Sequence, residues 1–308
     1  MKKDLITLLD YTNDEVVSLI NSADRLKKEK GKLRAELKGK SVALVFQKPS
    51  NRTRVSFAVG VHQLGGHALY LGPDEISLGK RETTYDVAKT LERYVHCIVA
   101  RVYAHSDIVE LANQAKVPVI NALCDLHHPC QALADIQTIR EKFGRFKGLT
   151  VAYVGDGNNV FHSLMIACAK VGINVNFAGP KGYDPNPELL KQAQAVARKN
   201  GVAIECSRDP KKAVKGAHVI YADVWVSMGQ EKETAWRIKD FKGYQINAQL
   251  LKGADKNYIF MHCLPAHREL EVTADIIDGP HSVIFDQAEN RLHAQKAVML
   301  YLLGGKSK

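Results

Sequence analysis

Short apolar runs recur along the whole chain, and most of them lack the alternating polar residues of a half-exposed strand. They read SVALVF (41–46), HALYL (67–71), CIVARV (97–102), VPVI (117–120), VAYV (151–154), NVNFA (174–178), VAIE (202–205), HVIYA (218–222), YIFMH (258–262) and SVIFD (282–286). An unbroken apolar run is typical of a strand that is covered on both faces, as in a parallel sheet. We therefore expect these runs to form buried parallel strands.

Helical patterns separate the apolar runs. The first helix begins with Thr12 and Glu15, the two members of a capping box that satisfies free amides of the first turn. Its apolar face consists of Val16, Leu19, Ile20, Ala23 and Leu26. The last segment, 289–303, also has apolar residues at helical spacing. Strands that alternate with helices predict an α/β fold of doubly wound parallel sheets flanked by helices.

The length of the chain predicts two domains. With 308 residues, the chain has about twice the roughly 150 residues of a single domain. The predicted strands fall into two groups, and the segment EKFGRFKGLT (141–150) lies between them. We therefore expect one domain boundary in this segment, after residue 143.

The net charge of +10 favours an acidic partner. The most basic stretch, RLKKEKGKLR (25–34), is interrupted by Glu29 and Gly31, so the dense basic cluster of a nucleic-acid-binding protein is missing from the sequence. A small and strongly anionic substrate explains the excess of positive charge, and we expect no nucleic-acid partner.

The cysteines and the hydropathy pattern favour a cytoplasmic protein. The six cysteines form no C-x-x-C pair, which is typical of reduced thiols. Asp10, Asn13 and Asp14 interrupt the basic start of the chain, so no signal peptide is predicted. The longest apolar runs are far shorter than the roughly 20 residues of a membrane span. We expect no membrane partner.

The segment FQKPSNRTRVSF (46–57) leads from a strand into a helix. Ser50 suits the N-cap position, where the following amides lack helical partners. These amides, the helix dipole and Arg52 together can bind a phosphate. The alternative is a capped helix with Arg52 and Arg54 in solvent, and the motif alone does not decide between the two.

The segment NALCDLHHPCQALADI (121–136) crowds chemically active side chains at a second change from strand to helix. His127 and His128 precede Pro129, which suits the first turn of a helix, and Gln131 lies just inside it. A histidine can donate to a polarised carbonyl, and a glutamine offers both a donor and an acceptor. A zinc site of His128 and Cys130 with His262 or Cys263 is an alternative, but its spacing matches no common structural site.

The turn in YVGDGNNVFHSLM (153–165) resembles a dinucleotide-binding turn only in part. Gly155 and Gly157 fit, but Val160 occupies the third glycine position, and the next strand ends in FAGPKG without an acidic residue. A dehydrogenase is therefore disfavoured. The same turn can present the amides of Asn158 and Asn159 to a polar ligand.

Two further strands end in polar residues. Asp223 follows one, with the segment Ser227-Met228-Gly229 just beyond it. Cys263 follows the other, and it fits a nucleophile, a tuned thiolate or a small buried hydrophobic residue. The Leu264–Pro265 bond is a candidate cis peptide, because X–Pro bonds adopt the cis form at low cost.

Taken together, these segments resemble the aspartate/ornithine carbamoyltransferase family. The matching pieces are SNRTR (50–54), Arg101 in VARVY, HPCQ (128–131), the Asn158-Asn159 turn, DVWVSMGQE (223–231) and HCLP (262–265), in the order of the family. DVWVSMG and HCLP mark its ornithine-type members. The resemblance implies carbamoyl transfer from carbamoyl phosphate to the side-chain amine of L-ornithine, giving L-citrulline and phosphate in arginine metabolism.

The resemblance also implies a domain assignment and a set of site residues. A carbamoyl phosphate-binding domain comprises residues 1–143 and the C-terminal helix at 289–308, which packs back on it, and an ornithine-binding domain comprises 144–288. Carbamoyl phosphate is assigned Ser50, Asn51, Arg52, Thr53, Ser77, Arg101, His128, Gln131, Cys263, Leu264 and Arg291. Ornithine is assigned Asn159, Asp223, Ser227 and Met228. The catalytic residues are Arg52, Arg101, His128, Cys263 and Asp223.

The family further implies a homotrimer with active sites shared by subunits, and no metal or organic cofactor. One departure concerns the loop that reaches a neighbouring subunit, where many relatives carry glutamine and this chain has Ser77, with Lys80 and Arg81 nearby. An acceptor such as putrescine or an acylated ornithine is the nearest alternative, and SMG and HCLP argue against it. The sequence leaves open whether the cell runs the reaction toward citrulline or back to carbamoyl phosphate.

Overall fold

A computed structural model describes residues 2–76, 78–79, 81–227 and 229–304, apart from the side chain of Glu231. The strands are β1 (Ser41–Phe46), β2 (His67–Leu71), β3 (Cys97–Arg101), β4 (Val119–Leu123), β5 (Thr150–Val154), β6 (Asn174–Ala178), β7 (Ile204–Ser207), β8 (Val219–Ala222) and β9 (Ile259–His262). The helices are α1 (Asn13–Lys28), α2 (Asn51–Gln63), α3 (Pro73–Ile76), α4 (Thr84–Tyr94), α5 (His105–Gln114), α6 (Pro129–Phe143), α7 (Asn159–Val171), α8 (Pro187–Lys199), α9 (Pro210–Val214), α10 (Thr234–Asp240), α11 (Ala248–Leu251), α12 (Ala274–Ile277) and α13 (Ile284–Leu303).

The chain divides into two compact units. The first unit comprises Met1–Gln137 and Glu289–Lys308, and the second comprises Thr138–Ala288. The division falls inside α6 and again inside α13. Among the described residues, no helix combines the length and the apolar character that a membrane crossing requires.

The first unit is built on a parallel sheet in the order β2-β1-β3-β4. The chain moves from β1 to β2 on one side and then returns to β3 on the other, so the order reverses between β1 and β3. Such a switch point leaves a crevice beyond the carboxyl ends of the strands, where open α/β sheets bind ligands. The buried residues between sheet and helices include Val45, Ile98, Val102, Ile108 and Leu111.

The C-terminal helix α13 packs in the first unit from Glu289 onward. Ala297 of α13 joins Ala23 and Leu26 of α1 in an apolar cluster. The Lys296 ammonium donates to Gln63 Oε1 at 2.7 Å, which ties α13 to the end of α2. The final helix thus closes one face of this unit, as the sequence predicted.

The second unit is built on a parallel sheet in the order β7-β6-β5-β8-β9. Its switch point lies between β5 and β8, because β6 and β7 extend to one side and β9 to the other. Its core includes stacked aromatic rings: Tyr153 of β5 lies 5.5 Å from Tyr221 of β8 and 6.1 Å from Phe177 of β6, measured between ring centroids. Both units therefore confirm the predicted doubly wound α/β fold.

The predicted strands are confirmed except for the last, SVIFD (282–286), although the edge strands β2 and β7 are partly exposed and not buried as expected. Ser282 forms only an isolated bridge with Phe260, and α13 already begins at Ile284. Asp286 explains the difference, since an acidic residue in the first turn stabilises the positive end of a helix dipole. The predicted capping box is present: Thr12 accepts from the Glu15 amide, and Glu15 accepts from the Thr12 amide.

Candidate active site

In the first unit, the start of α2 lies beyond the carboxyl end of β1. Ser50 is the N-cap, and its hydroxyl accepts a hydrogen bond from the Thr53 amide at 3.3 Å. The cap satisfies that amide, while Asn51 and Arg52 occupy the first helical positions, whose amides lack helical partners. Arg52 is half-buried, whereas Arg54 is exposed and stacks 3.7 Å from the centroid of the Tyr70 ring. The two arginines of this motif therefore differ, and Arg52 is the one suited to a ligand.

Arg291 of α13 connects the phosphate-type motif to the histidine motif. Its guanidinium donates to Gln131 Oε1 at 2.7 Å and to Thr53 Oγ1 at 3.1 Å. The Gln131 amide nitrogen donates in turn to Asp135 Oδ1 at 2.8 Å. All four side chains are buried. This network fixes the amide of Gln131 with its oxygen toward Arg291 and its nitrogen toward Asp135.

His128 lies at the start of α6, buried among cations. Burial and then the charges of Arg291, Arg101, Lys48 and Arg52 lower the pKa of His128 well below its ordinary value. The imidazole is therefore neutral at physiological pH, and it can donate one N–H to a carbonyl oxygen. Arg101 itself ends β3, at the switch point. A cluster with this much positive charge suits a ligand with two negative charges.

Lys48 belongs to this cluster, although the sequence analysis did not select it. It is buried two residues after β1, and its ammonium lies 4.5 Å from the centroid of the Tyr103 ring. Burial, and next the charge of Arg101, lower its pKa to about 8. The sequence feature that could have identified Lys48 was its position two residues after a buried strand, because such a position is rarely solvated.

In the second unit, Asp223 lies beyond β8 and is buried. Its Oδ2 accepts from Asn158 Nδ2 at 2.7 Å, and its Oδ1 accepts from the Cys263 thiol at 3.0 Å and the Val224 amide at 2.8 Å. Neutral donors thus hold the carboxylate without cancelling its charge. Asp223 therefore presents a net negative charge suited to an amine.

Asn158 and Asn159 have different roles at the turn after β5. Asn158 is the N-cap of α7, and its side-chain oxygen accepts from two amides of the first turn. Because its nitrogen binds Asp223, Asn158 positions that carboxylate. Asn159 is the first residue of α7 and is half-buried. The sequence analysis offered both amides to a polar ligand and assigned only Asn159 to ornithine, so it missed the positioning role of Asn158.

The HCLP segment follows β9 in a constrained turn. His262 Nδ1 accepts from the Leu264 amide at 2.9 Å, and its Nε2 lies 3.3 Å from the buried carboxylate of Glu271. Leu264 has a φ of 59°, in the left-handed region, and the Leu264–Pro265 bond is cis, as the sequence suggested. Glu271 was missed, since it lies outside every motif. This turn exposes the backbone of Cys263 and Leu264 in one defined shape.

Three side chains of the second unit lie close enough together to hold a cation. Asp223, His262 and Cys263 each offer one ligand atom, and these atoms lie within 4.8 Å of one another. Among the described residues, His262 and Cys263 therefore belong to this group as well as to the zinc site considered from the sequence, whereas His128 and Cys130 do not belong to it. The thiol of Cys263 donates a hydrogen bond to Asp223 Oδ1, so a metal would have to replace that hydrogen bond.

The predicted residues gather in two places. Ser50, Asn51, Arg52, Thr53, Arg101, His128, Gln131 and Arg291 lie in the first unit, and Asn159, Asp223, Ser227, Cys263 and Leu264 lie in the second. Ser77, Lys80 and Met228 lie outside the described residues, and Arg81 is exposed. Cys263 and Leu264, predicted to contact carbamoyl phosphate, thus belong to the same unit as the predicted ornithine residues.

The first doubly wound unit has cations at its switch point, and the second has a buried carboxylate at its own. Together these two sites suit a transferase with an anionic donor and an amine acceptor. The chain belongs to the aspartate/ornithine carbamoyltransferase family. The family model of the carbamoyl-P binding domain matches residues 3–141, and the family model of the Asp/Orn binding domain matches residues 147–302.

Ornithine carbamoyltransferases are among the similar proteins. The one from Thermococcus kodakarensis is 54% identical over 305 residues, which cover 98% of this chain and 97% of the relative. The anabolic ornithine carbamoyltransferase of Pyrococcus furiosus is 54% identical over 305 residues, with the same coverage of 98% and 97%. The solved structure of ornithine carbamoyltransferase from Pyrococcus furiosus superposes with a TM-score of 0.96, at 54% identity, and covers 99% of this chain and 98% of that one. That from Thermus thermophilus has a TM-score of 0.89 at 47% identity, with coverage of 98% and 99%.

Proposed function

We propose that this enzyme transfers the carbamoyl group of carbamoyl phosphate to the side-chain amine of L-ornithine, giving L-citrulline and phosphate. The observation that carries the proposal is the buried cluster in which a neutral His128 is surrounded by Arg52, Arg101, Arg291 and Lys48. Carbamoyl phosphate needs cations for its phosphate and a neutral donor for its carbonyl oxygen. The names of the near-full-length relatives support the acceptor, ornithine.

The cationic cluster performs two tasks in this reaction. The phosphate binds to the free amides of Asn51 and Arg52, next to the N-cap Ser50. The guanidinium groups of Arg52 and Arg101 stabilise the charge of the phosphate as it leaves. His128 donates to the carbonyl oxygen, where negative charge develops in the tetrahedral intermediate. Gln131 Oε1 already accepts from Arg291, and its second lone pair can accept from the carbamoyl NH2 group.

The acceptor is held by the second unit. Asp223 pairs with the α-ammonium of ornithine and, together with Cys263, orients the side-chain amine, while Asn159 and Ser227 bind the α-carboxylate. Met228 and Ser77 retain the binding roles that the resemblance assigns to them. The neutral side-chain amine attacks the carbamoyl carbon, the new N–C bond forms, and the C–O bond to phosphate breaks. The proton that the amine loses passes to the departing phosphate.

The test is a stoichiometric assay with purified protein. Incubation with carbamoyl phosphate and L-ornithine should produce citrulline and phosphate in equal amounts, and the Asp223→Asn variant should produce both far more slowly. Phosphate release without citrulline would indicate a hydrolase, and no turnover of carbamoyl phosphate at all would contradict the proposal.

We infer a homotrimer from the resemblance, and exposed apolar side chains of the first unit support self-association. Val55 and Val59 of α2 are 52% and 38% exposed, and Leu69 on the edge strand β2 is 40% exposed. Exposed apolar side chains on a sheet edge and on a helix are typical of an interface. Light scattering should give three chains per particle. A fully active monomer at assay concentration would refute this inference.

We also propose a cytoplasmic enzyme of arginine biosynthesis. All six cysteines lie in the part of the chain that the structure describes, and none forms a disulfide, which supports a reducing compartment. The anabolic Pyrococcus furiosus relative supports the direction toward citrulline. Loss of the gene should create a requirement for citrulline or arginine. Unchanged growth without either, in cells with no second enzyme of this kind, would contradict the anabolic direction.

A further inference from the structure

One buried arginine anchors the segment that carries the predicted ornithine residues. Arg237 of α10 is only 7% exposed. Its Nη1 donates to Asp156 Oδ2 at 2.7 Å and to the Trp225 carbonyl at 3.0 Å, and its Nε donates to Glu233 Oε2 at 2.6 Å. The guanidinium therefore joins the turn after β5, the segment after β8 and the residue before α10.

Aromatic side chains enclose this arginine. The guanidinium carbon lies 5.0 Å from the centroid of the Tyr183 ring, within the range of a cation–π interaction. The Trp225 ring stacks on the fully buried Phe241 ring with centroids 5.4 Å apart. The hydrogen bond from Arg237 to the Trp225 carbonyl is buried, which makes it stronger than a hydrogen bond on the surface.

The charge of Arg237 acts next to Asp223. Burial raises the pKa of Asp156. The hydrogen bond from Arg237 and the positive charge of Arg237 oppose this rise, whereas the negative charge of Asp223 raises the pKa of Asp156 further. Asp156 is thus ion-paired with Arg237 at 2.7 Å, whereas Asp223 accepts from neutral donors.

We propose that Arg237 is a positioning residue for ornithine recognition: it holds residues 223–227 so that Asp223 and Ser227 face the acceptor. The bonded carbonyl of Trp225 lies midway between these two residues in the chain. Gln230 fixes Ser227 further: the Ser227 amide donates to Gln230 Oε1 at 3.1 Å, and the Gln230 amide donates to the Ser227 carbonyl at 3.0 Å. This inference rests on the proposed function, in which those two residues bind ornithine.

The test compares Arg237→Met and Arg237→Lys with a matched control, Arg268→Met. Arg268 also pairs with a carboxylate of the second unit, Asp278, but their side chains are 46% and 49% exposed. Arg237→Met should raise the KM for ornithine at least about tenfold, the effect of losing charged hydrogen bonds, and change the KM for carbamoyl phosphate less than about twofold. Arg237→Lys should fall between this variant and the wild type, and Arg268→Met should match the wild type.

A double variant separates positioning from folding. Removing Arg237 alone leaves the buried Asp156 carboxylate unpaired, so Asp156→Asn in the same chain should restore part of the lost melting temperature. The KM for ornithine should stay high, because the bond to the Trp225 carbonyl is still missing. A KM that recovers together with the melting temperature would show a purely structural role and overturn the inference.

The two levels of the account fail differently. If the wild type forms no citrulline, the proposed function is wrong. If Ser227→Ala raises the KM for ornithine while Arg237→Met does not, the function stands and the positioning role of Arg237 is wrong.

Discussion

The two units bury charges of opposite sign at corresponding places in their sheets. The switch point of the first unit collects Arg52, Arg101 and the cations near them, whereas that of the second holds Asp223 among neutral donors. Like charges that are buried together oppose one another until a counter-ion arrives. The first site is therefore suited to bind a dianion, and the second is suited to bind an ammonium group. Removing one charged side chain from either site tests this assignment.

The largest expected effect comes from the cationic side. Arg52→Ala should lower kcat/KM at least about a hundredfold, because Arg52 stabilises the charge of the leaving phosphate. Arg54→Met is the matched control: its guanidinium stacks on Tyr70, so a change of less than about threefold is expected. If both variants lost the same factor in kcat/KM in a citrulline assay, Arg52 and Arg54 would not have different roles, and the prediction would be wrong.

On the anionic side, Asp223→Asn should lower kcat/KM for ornithine by about ten- to a hundredfold, the scale of one or two charged hydrogen bonds. The affinity for phosphate should remain within about twofold, because Asp223 belongs to the amine site. Calorimetric titration with phosphate checks the second part. A large loss of phosphate affinity would contradict the division of labour between the two charges.

Much of this arrangement was visible in the sequence, because it depends on local patterns. The apolar runs located the strands of both sheets, and residues at or just beyond their carboxyl ends, such as Ser50, Arg101 and Asp223, were identified as site residues. Side chains that act across long separations gave no local signal. Arg237 owes its role to Asp156, 81 residues away, and only the folded chain brings the two near. SVIFD failed because a short apolar run fits a buried helix as well as a strand.

A smaller effect concerns pH. The pKa of Lys48 is lowered to about 8 from 10.5, so between these values the unfolded chain binds more protons, and the free energy of unfolding should rise with pH. Ligand binding has the opposite sign: a dianion favours the charged ammonium, so phosphate affinity should fall as pH rises above about 8.

Calorimetry with phosphate at pH 8, 9 and 10 checks this linkage, since phosphate itself stays dianionic in that range. The wild type should lose up to about tenfold in affinity per pH unit, the limit for one coupled proton. Lys48→Met should bind more weakly at pH 8 and show a flatter profile. Identical profiles for the two proteins would assign the pH dependence to another group.

The smallest effect is expected at Cys263. Its thiol donates to Asp223 Oδ1, and a serine hydroxyl can make the same bond, so Cys263→Ser should retain kcat/KM within about fivefold. Cys263→Ala, which removes the donor, should lose more. If the serine variant were inactive although folded by circular dichroism, the thiol would have to act as a nucleophile, and the direct transfer mechanism would be wrong.

The most direct measurement of the central claim is the acceptor preference of the wild type. The site pairs a negative charge with the α-ammonium and offers polar groups to the α-carboxylate, so only an acceptor with both groups and a distal amine satisfies it. At fixed carbamoyl phosphate, kcat/KM for L-ornithine should exceed that for putrescine or L-aspartate at least about a hundredfold, as when one or two such contacts are missing. Equal values for ornithine and either competitor would contradict the account.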